Sequence, residues 1–255
     1  MTKWNELDQT LNKYLRLASF PIAVKLLEDE EELSKISFLK RPKKKLALCQ
    51  MFHYSRNYGW TMGLKKEDNI CPLAEIALGF EQPYEWFIKG DFFYQRYNKT
   101  SEGAKKTSEL IPLIPFGRVA AIVSGALHRV DFDPDFILIY GNSAQIMRII
   151  QGALWQEGGR MTISTFGDAV CADIISKTYL TGKVQVAIPC LGDRRFGLAK
   201  DTDLVASIPM GEIDSVKEGL EGTHKFGSRI PIPQELCTPE FFVQIQDYIE
   251  EAKKM

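Results

Sequence analysis

The sequence has no long apolar run, no excess of either charge and only three histidines among its 255 residues. No stretch approaches the ~20 apolar residues needed to cross a bilayer. The start, MTKWNELDQTLNKYLRL, lacks the charged-then-apolar pattern of a secretory signal. The expectation is a cytoplasmic protein with no membrane partner. With 32 basic residues against 33 acidic ones, the net charge of -1 excludes a dominant electrostatic pull toward nucleic acid. The basic run KRPKKK (40–45) is short and reads as a solvated loop. Neither GWTMG nor GLEGTHKFGS ends in the Gly-Lys-Ser/Thr that holds a nucleotide and its magnesium, so nucleotide hydrolysis is set aside. His53, His128 and His224 have no triad context. There is no Cys-x-x-Cys pair, and the five cysteines are an odd number, which suits reduced thiols better than a disulfide framework.

What is present is the composition of a folded domain, 45% hydrophobic. The first segment reads as an amphipathic helix with Leu7, Leu11, Tyr14 and Leu15 on one side. PIAVKLL (21–27) is a short buried strand and EDEEELSKI a charged helix or connection. KLALC is a strand-like run ending at Cys49, and QMFHYSRNYGW continues as a helix. Residues 94–117, rich in Lys, Ser, Thr, Pro and Gly, read as a long loop. VAAIVSGAL and FILIYG form a pair of adjacent strands around an Asp133-Pro134 turn, and SAQIMRIIQGALWQ is a helix capped by Ser143. KVQVAIP is another strand. DSVKEGL is a short helix, and a last helix starts at Thr238-Pro239. The fold class is α+β, with mixed sheets and packed helices in a single domain over 1–255.

An internal echo organises the cysteines. In YGWTMGLKKEDNICPLAEIALG and GGRMTISTFGDAVCADIISKTYLTG, Gly59 and Gly159, Asp68 and Asp168, and Cys71 and Cys171 share one offset of 100 residues. The pattern predicts a pseudo-two-fold duplication, with halves at 20–93 and 118–200 and a helical C-terminal extension over 201–255. In each Asp-x-x-Cys the aspartate is expected to cap a helix. That would place the cysteine in the first turn, where free N–H groups and the helix dipole lower a thiol's pKa. Pro72 suits such a first turn. Cys49 and Cys190 resemble each other instead, each closing a strand-like run. Two strand-end and two helix-start thiols converging near a symmetry axis would give four thiolates, the donor set of an iron–sulfur cluster or of tetrahedral zinc. Small core residues are the plainer reading of the same cysteines. Cys237 belongs to neither pair.

These segments also carry a resemblance. With Cys49-Gln50, ICPLAEIALG, YGNSAQIMRIIQGALWQEGG, Cys171 and IPCLGDRRFG in place, the chain resembles the archaeal and bacterial family called domain of unknown function 169, from about PIAVKLL to DSVKEGL. The family's Cys-Gln, Cys-Pro or Cys-Gly, Tyr-Gly-x-x-Ala-Gln and Pro-Cys-x-Gly-x-Arg patterns match at Cys49, Cys71, Tyr140 to Gln145 and Pro189 to Arg194. The resemblance implies that the four cysteines matter and brings no activity with it.

Three functions compete. In the first, Cys49, Cys71, Cys171 and Cys190 bind an iron–sulfur cluster of the 4Fe-4S type. Arg194 and Arg195 then offset its charge or hold an anionic substrate, backbone N–H groups at the two helix starts and near Gly192 serve the same end, and an electron-transfer partner is implied. Structural zinc is a variant. In the second, Cys190 or Cys171 is a nucleophile in an enzyme or binding module, with the arginines, joined by Arg56, clamping a small anionic molecule. In the third, YEWFIKGDFFYQRY (84–97) is an interface of a homo-oligomer.

Overall fold

The computed structural model describes residues 2–232 and 243–254. In chain order its elements are α1 (Asn5–Leu15), β1 (Ile22–Leu27), α2 (Leu48–Tyr58), β2 (Met62–Lys65), α3 (Pro72–Ala77), α4 (Glu85–Ile88), α5 (Ser101–Glu109), β3 (Ala121–Ala126), β4 (Phe136–Gly141) and α6 (Ser143–Ala153). A π-helical stretch, Ala172–Ser176, runs into α7 (Lys177–Thr181). Then follow β5 (Gln185–Ala187), α8 (Leu191–Arg195), β6 (Leu204–Pro209), α9 (Ile213–Lys225) and α10 (Val243–Ala252). None of the described helices is long and apolar enough to cross a membrane.

The strands form one sheet in the order β2-β3-β1-β4-β6-β5, and every pairing is antiparallel. Both faces are buried, which is why β1, β3 and β4 read as nearly continuous apolar runs, broken only by Lys25 and Ser124, rather than alternating ones. Ala23, Leu27, Val123, Ile137, Ile139, Ala206 and Ile208 point into a core shared with α1, α6 and α9. Ile22, Val24, Ile122, Phe136, Leu138, Tyr140 and Val205 point the other way, into a core shared with α2, α3, the π-helical stretch and Cys190. A third cluster, built on Leu73, Ile76, Phe87, Phe93, Ala104 and Ile111, packs beside that second face. The helical face of α1 is the one expected, with Leu7, Leu11, Tyr14 and Leu15 buried.

The class is α+β, and several finer expectations are corrected. The sheet is single and antiparallel, not mixed. β3 and β4 do not pair with each other; they flank β1. The chain between them is too long for a hairpin, and its ends are held on β1, with Leu127 N–H donating to Pro21 O, and Asp135 N–H and Leu26 N–H donating to Val24 O and Asp135 Oδ2. The 94–117 loop contains α5, capped by the Thr100 hydroxyl, which accepts from Gly103 N–H at 3.1 Å. The region after 200 is not a helical extension, because β6 lies inside the sheet between β4 and β5. α6 is capped by Asn142 rather than Ser143. Asn142 Oδ1 accepts from Gln145 N–H, Gln145 Oε1 accepts from Asn142 N–H, and Gln145 Nε2 ties the end of α1 through Leu15 O and Arg16 O. The start of the last helix at Thr238-Pro239 lies outside the described residues, as does Cys237.

The echo at offset 100 does not mark two matching units. β3 separates β2 from β1, so the expected halves interleave. Gly59 and Gly159 both have positive φ, but Gly59 closes α2 whereas Gly159 lies in a bend beyond the end of α6. α2 packs on the second face of the sheet and α6 on the first.

Candidate four-cysteine site

All four cysteines singled out in the sequence line one cavity of about 540 Å³ on the α2 side of the sheet. Each comes from a different helix start. Cys49 is in the first turn of α2, not at a strand end; Gln50 Oε1 accepts the N–H of Ala47 at 2.8 Å and turns KLALC into a helix entry. Cys71 is itself the residue preceding α3, with Pro72 opening that helix. Asp68 does not cap it. That aspartate belongs to a short 3-10 turn and pairs with Arg41. Cys171 has helical backbone angles at the start of the π-helical stretch, where Ala169 O accepts from Ala172 N–H and Asp173 N–H. Asp168 faces the Tyr97 hydroxyl instead of capping. Cys190 caps α8, its sulfur accepting from Asp193 N–H at 3.4 Å. Gly192 is reached by Cys49, whose thiol donates to its carbonyl at 3.6 Å. All four are free thiols.

The expectation that Cys71 and Cys171 are made acidic at their helix starts is not met. Burial pushes all four thiols up, most strongly Cys49 and Cys171. For Cys49 the charge of Asp193 and then the neighbouring Cys190 and Cys71 add to it, and for Cys171 the other three cysteines do. Backbone N–H groups work the other way, from Ala74 and Leu73 on Cys71 and from Val170, Asp193 and Gly192 on Cys190, without matching the desolvation. Among the described residues no three His, Cys, Asp or Glu side chains stand close enough to hold one metal ion.

The floor of the site is a buried polar group that sequence reasoning did not assign. Asp193 is 1% exposed and accepts from the Tyr140 hydroxyl at 3.0 Å. Burial pushes its carboxyl up to about 6, against the pull of Tyr140 and Arg56. Arg56, expected on an anion site, does not line the cavity. It is buried under α8, donating to Gly197 O at 2.7 Å, lying 4.3 Å from the Tyr140 ring and 4.0 Å from Asp203. Arg194 is also turned away, donating to Lys200 O. Arg195 does line the cavity, with Gly192, Lys45, Gln50, Phe92, Tyr97 and Asp168. Asp193 and Tyr140 stand inside two segments that attracted attention, LGDRR and YGNSAQ, but no local pattern says that they meet.

The aromatic segment 84–97 is divided between core, cavity wall and surface, with Ile88 and Tyr94 exposed. Phe87 and Phe93 are buried in the third cluster, while Phe92 and Tyr97 face the cysteines' cavity. His53 is engaged with Asn57 at 2.9 Å, His128 with Asp8 at 3.6 Å and His224 packs on Tyr14, and none of the three lines the cavity.

Residues 10–219 match the DUF169 family, described as uncharacterised ArCR, and the chain belongs to that family. It is similar to the uncharacterized protein MJ0308 of Methanocaldococcus jannaschii, at 26% identity over 224 residues, covering 85% of this chain and 94% of that one. No solved structure matches the chain significantly.

Proposed function

We propose that the protein holds an iron–sulfur cluster through Cys49, Cys71, Cys171 and Cys190 and passes electrons to or from a partner. The observation that carries this reading is the gathering of four free thiols, from four separate helix starts, on one cavity. Four neutral thiols gain little from being brought together in a buried space. Their repulsion on ionisation means that they become thiolates together only around a compensating cation. Thiols held protonated by burial are poor nucleophiles, and no histidine faces them, which weighs against a reactive-cysteine enzyme. Zinc needs four sulfurs about 2.3 Å from one point. Four thiolates would serve zinc or a cluster alike, and only a cluster brings acid-labile sulfide with its iron. Backbone N–H groups near Cys71 and Cys190 would donate to ligating sulfur and raise the potential.

The test is iron, zinc and acid-labile sulfide analysis of protein purified without oxygen, for the natural sequence and for each Cys→Ser variant. Matched iron and sulfide are expected, falling at least about tenfold in C49S, C71S, C171S and C190S but not in C237S. One equivalent of zinc without sulfide would select the zinc variant. Metal-free, colourless protein after anaerobic reconstitution would end the metal reading.

A further inference from the structure

The thiols make up one part of the cavity, and the remainder has another chemistry. Ile70, Leu73, Phe92, Val170, Leu191 and Phe196 supply an apolar lining, and about 540 Å³ lies within the range of small-molecule pockets. Two cations, Lys45 and Arg195, line the same space. Neither has an ion-pair partner among the described residues; the Arg195 guanidinium lies only over the ring of Phe196, at 5.5 Å. The two carboxylates in the lining are each engaged on one side, Asp168 with Tyr97 and Asp193 Oδ2 with Tyr140, while Asp168 Oδ2 and Asp193 Oδ1 are buried without a hydrogen-bond partner among the described residues. Gln50 adds a donor: its oxygen is held by Ala47 N–H, and its amide nitrogen has no partner among the described residues.

We propose that this cavity binds a small organic monocarboxylate, with its apolar body between Ile70, Leu73, Phe92 and Phe196 and its carboxylate held by Arg195 and Lys45. The guanidinium fork matches a carboxylate's two oxygens, and Lys45 adds a second charge. The walls select for one anionic group on an apolar body. Asp168 and Asp193 place negative charge in the same space and oppose a dianion such as phosphate. The proposal shares a cavity with the cluster reading but rests on side chains that carry no sulfur. Iron and sulfide content reads the one, and ligand titration reads the other.

The test is titration of the full-length protein, with iron and sulfide measured on the same sample. Phenylacetate and hexanoate are compared with 2-phenylethanol and 1-hexanol, which keep the apolar body without the charge, and with inorganic phosphate. Saturable binding is expected for at least one acid, about tenfold or more tighter than for its alcohol or for phosphate. Arg195→Gln and Lys45→Gln, both at exposed positions, are each expected to weaken it by about tenfold with unchanged circular dichroism and unchanged iron content. The proposal fails if neither acid saturates, if the alcohols or phosphate bind as well, or if both variants keep the natural affinity.

Discussion

At the residue scale the site is governed by desolvation. Asp193 shows this with a usable sign. Its folded pKa, about 6, lies above the unfolded carboxylate's ~3.9, so the folded chain holds the proton more tightly. Its stabilising contribution is complete below the unfolded value and is lost as pH rises through about 6. At about 1.4 kcal/mol per unit this is roughly 2 to 3 kcal/mol. Urea unfolding of the metal-free protein at pH 4.5 and 7.5 should therefore show a smaller pH difference in Asp193→Asn, where an amide oxygen still accepts from Tyr140. An unchanged difference would remove Asp193 from the balance. The thiols follow the same physics. In metal-free Cys237→Ser protein at pH 7.5, disulfide-exchange reagents should modify the four cysteines at least about tenfold more slowly than in the urea-unfolded chain. A single fast thiol would instead restore the nucleophile reading. The cysteines were legible in the sequence because their settings repeat; their raised pKa values were not, because burial is a property of what surrounds them.

At the scale of elements, the N-termini of α2, α3, α8 and the π-helical stretch surround one cavity, and beside it α8 and α2 approach so closely that no spare volume is left between them. Gly197 follows α8 and meets the base of α2. A Cβ added there would lie 2.1 Å from Asp193 Oδ1, 2.8 Å from Asp193 O and 3.0 Å from Cys49 Cβ; the second is backbone, and the Asp193 carboxylate is buried and held by Tyr140. Gly197→Ala should cost about 1 to 3 kcal/mol in urea unfolding and lower the metal content by displacing Cys49 from Cys190. Retention of both would mean that α8 shifts freely. On the other face, the reciprocal Asn142 and Gln145 cap joins the end of β4 to α6, so Asn142→Ala should cost about 1 kcal/mol. Calorimetry should register a drop of about 2 to 4 °C in Tm, since the chain is large. The sequence announced a cap at this point and missed it by one residue, because Ser143 and Asn142 are both good caps and only the bond to Gln145 distinguishes them.

At the scale of the whole molecule, a centre held by residues 49 to 190 would link helices from both ends of the family-matching region and would bind only the folded chain. Loss of the metal by aerobic oxidation should lower Tm, and re-reduction with iron and sulfide should restore it. An unchanged Tm, with iron and sulfide shown to be gone, would place any metal outside this cavity. The same scale explains the failed symmetry. Repeated Gly, Asp and Cys positions specify local helix entries, but β1 takes its place between β3 and β4 through contacts about 100 residues away in sequence, which no local repeat encodes.

The sequence by itself determined the elements whose signal is local: the apolar face of α1, the buried runs of β1, β3 and β4, and the segments that carry Cys49, Cys71, Cys171 and Cys190. Its apolar periods and turn residues act within a few positions, so they are readable without the fold. The tertiary structure alone decided that Cys49 begins a helix, that β6 belongs inside the sheet, that Arg56 supports the floor while Arg195 faces the cavity, and that Asp193 meets Tyr140. Each of these depends on desolvation or contact between residues far apart in the chain, and such terms exist only once the chain has closed on itself.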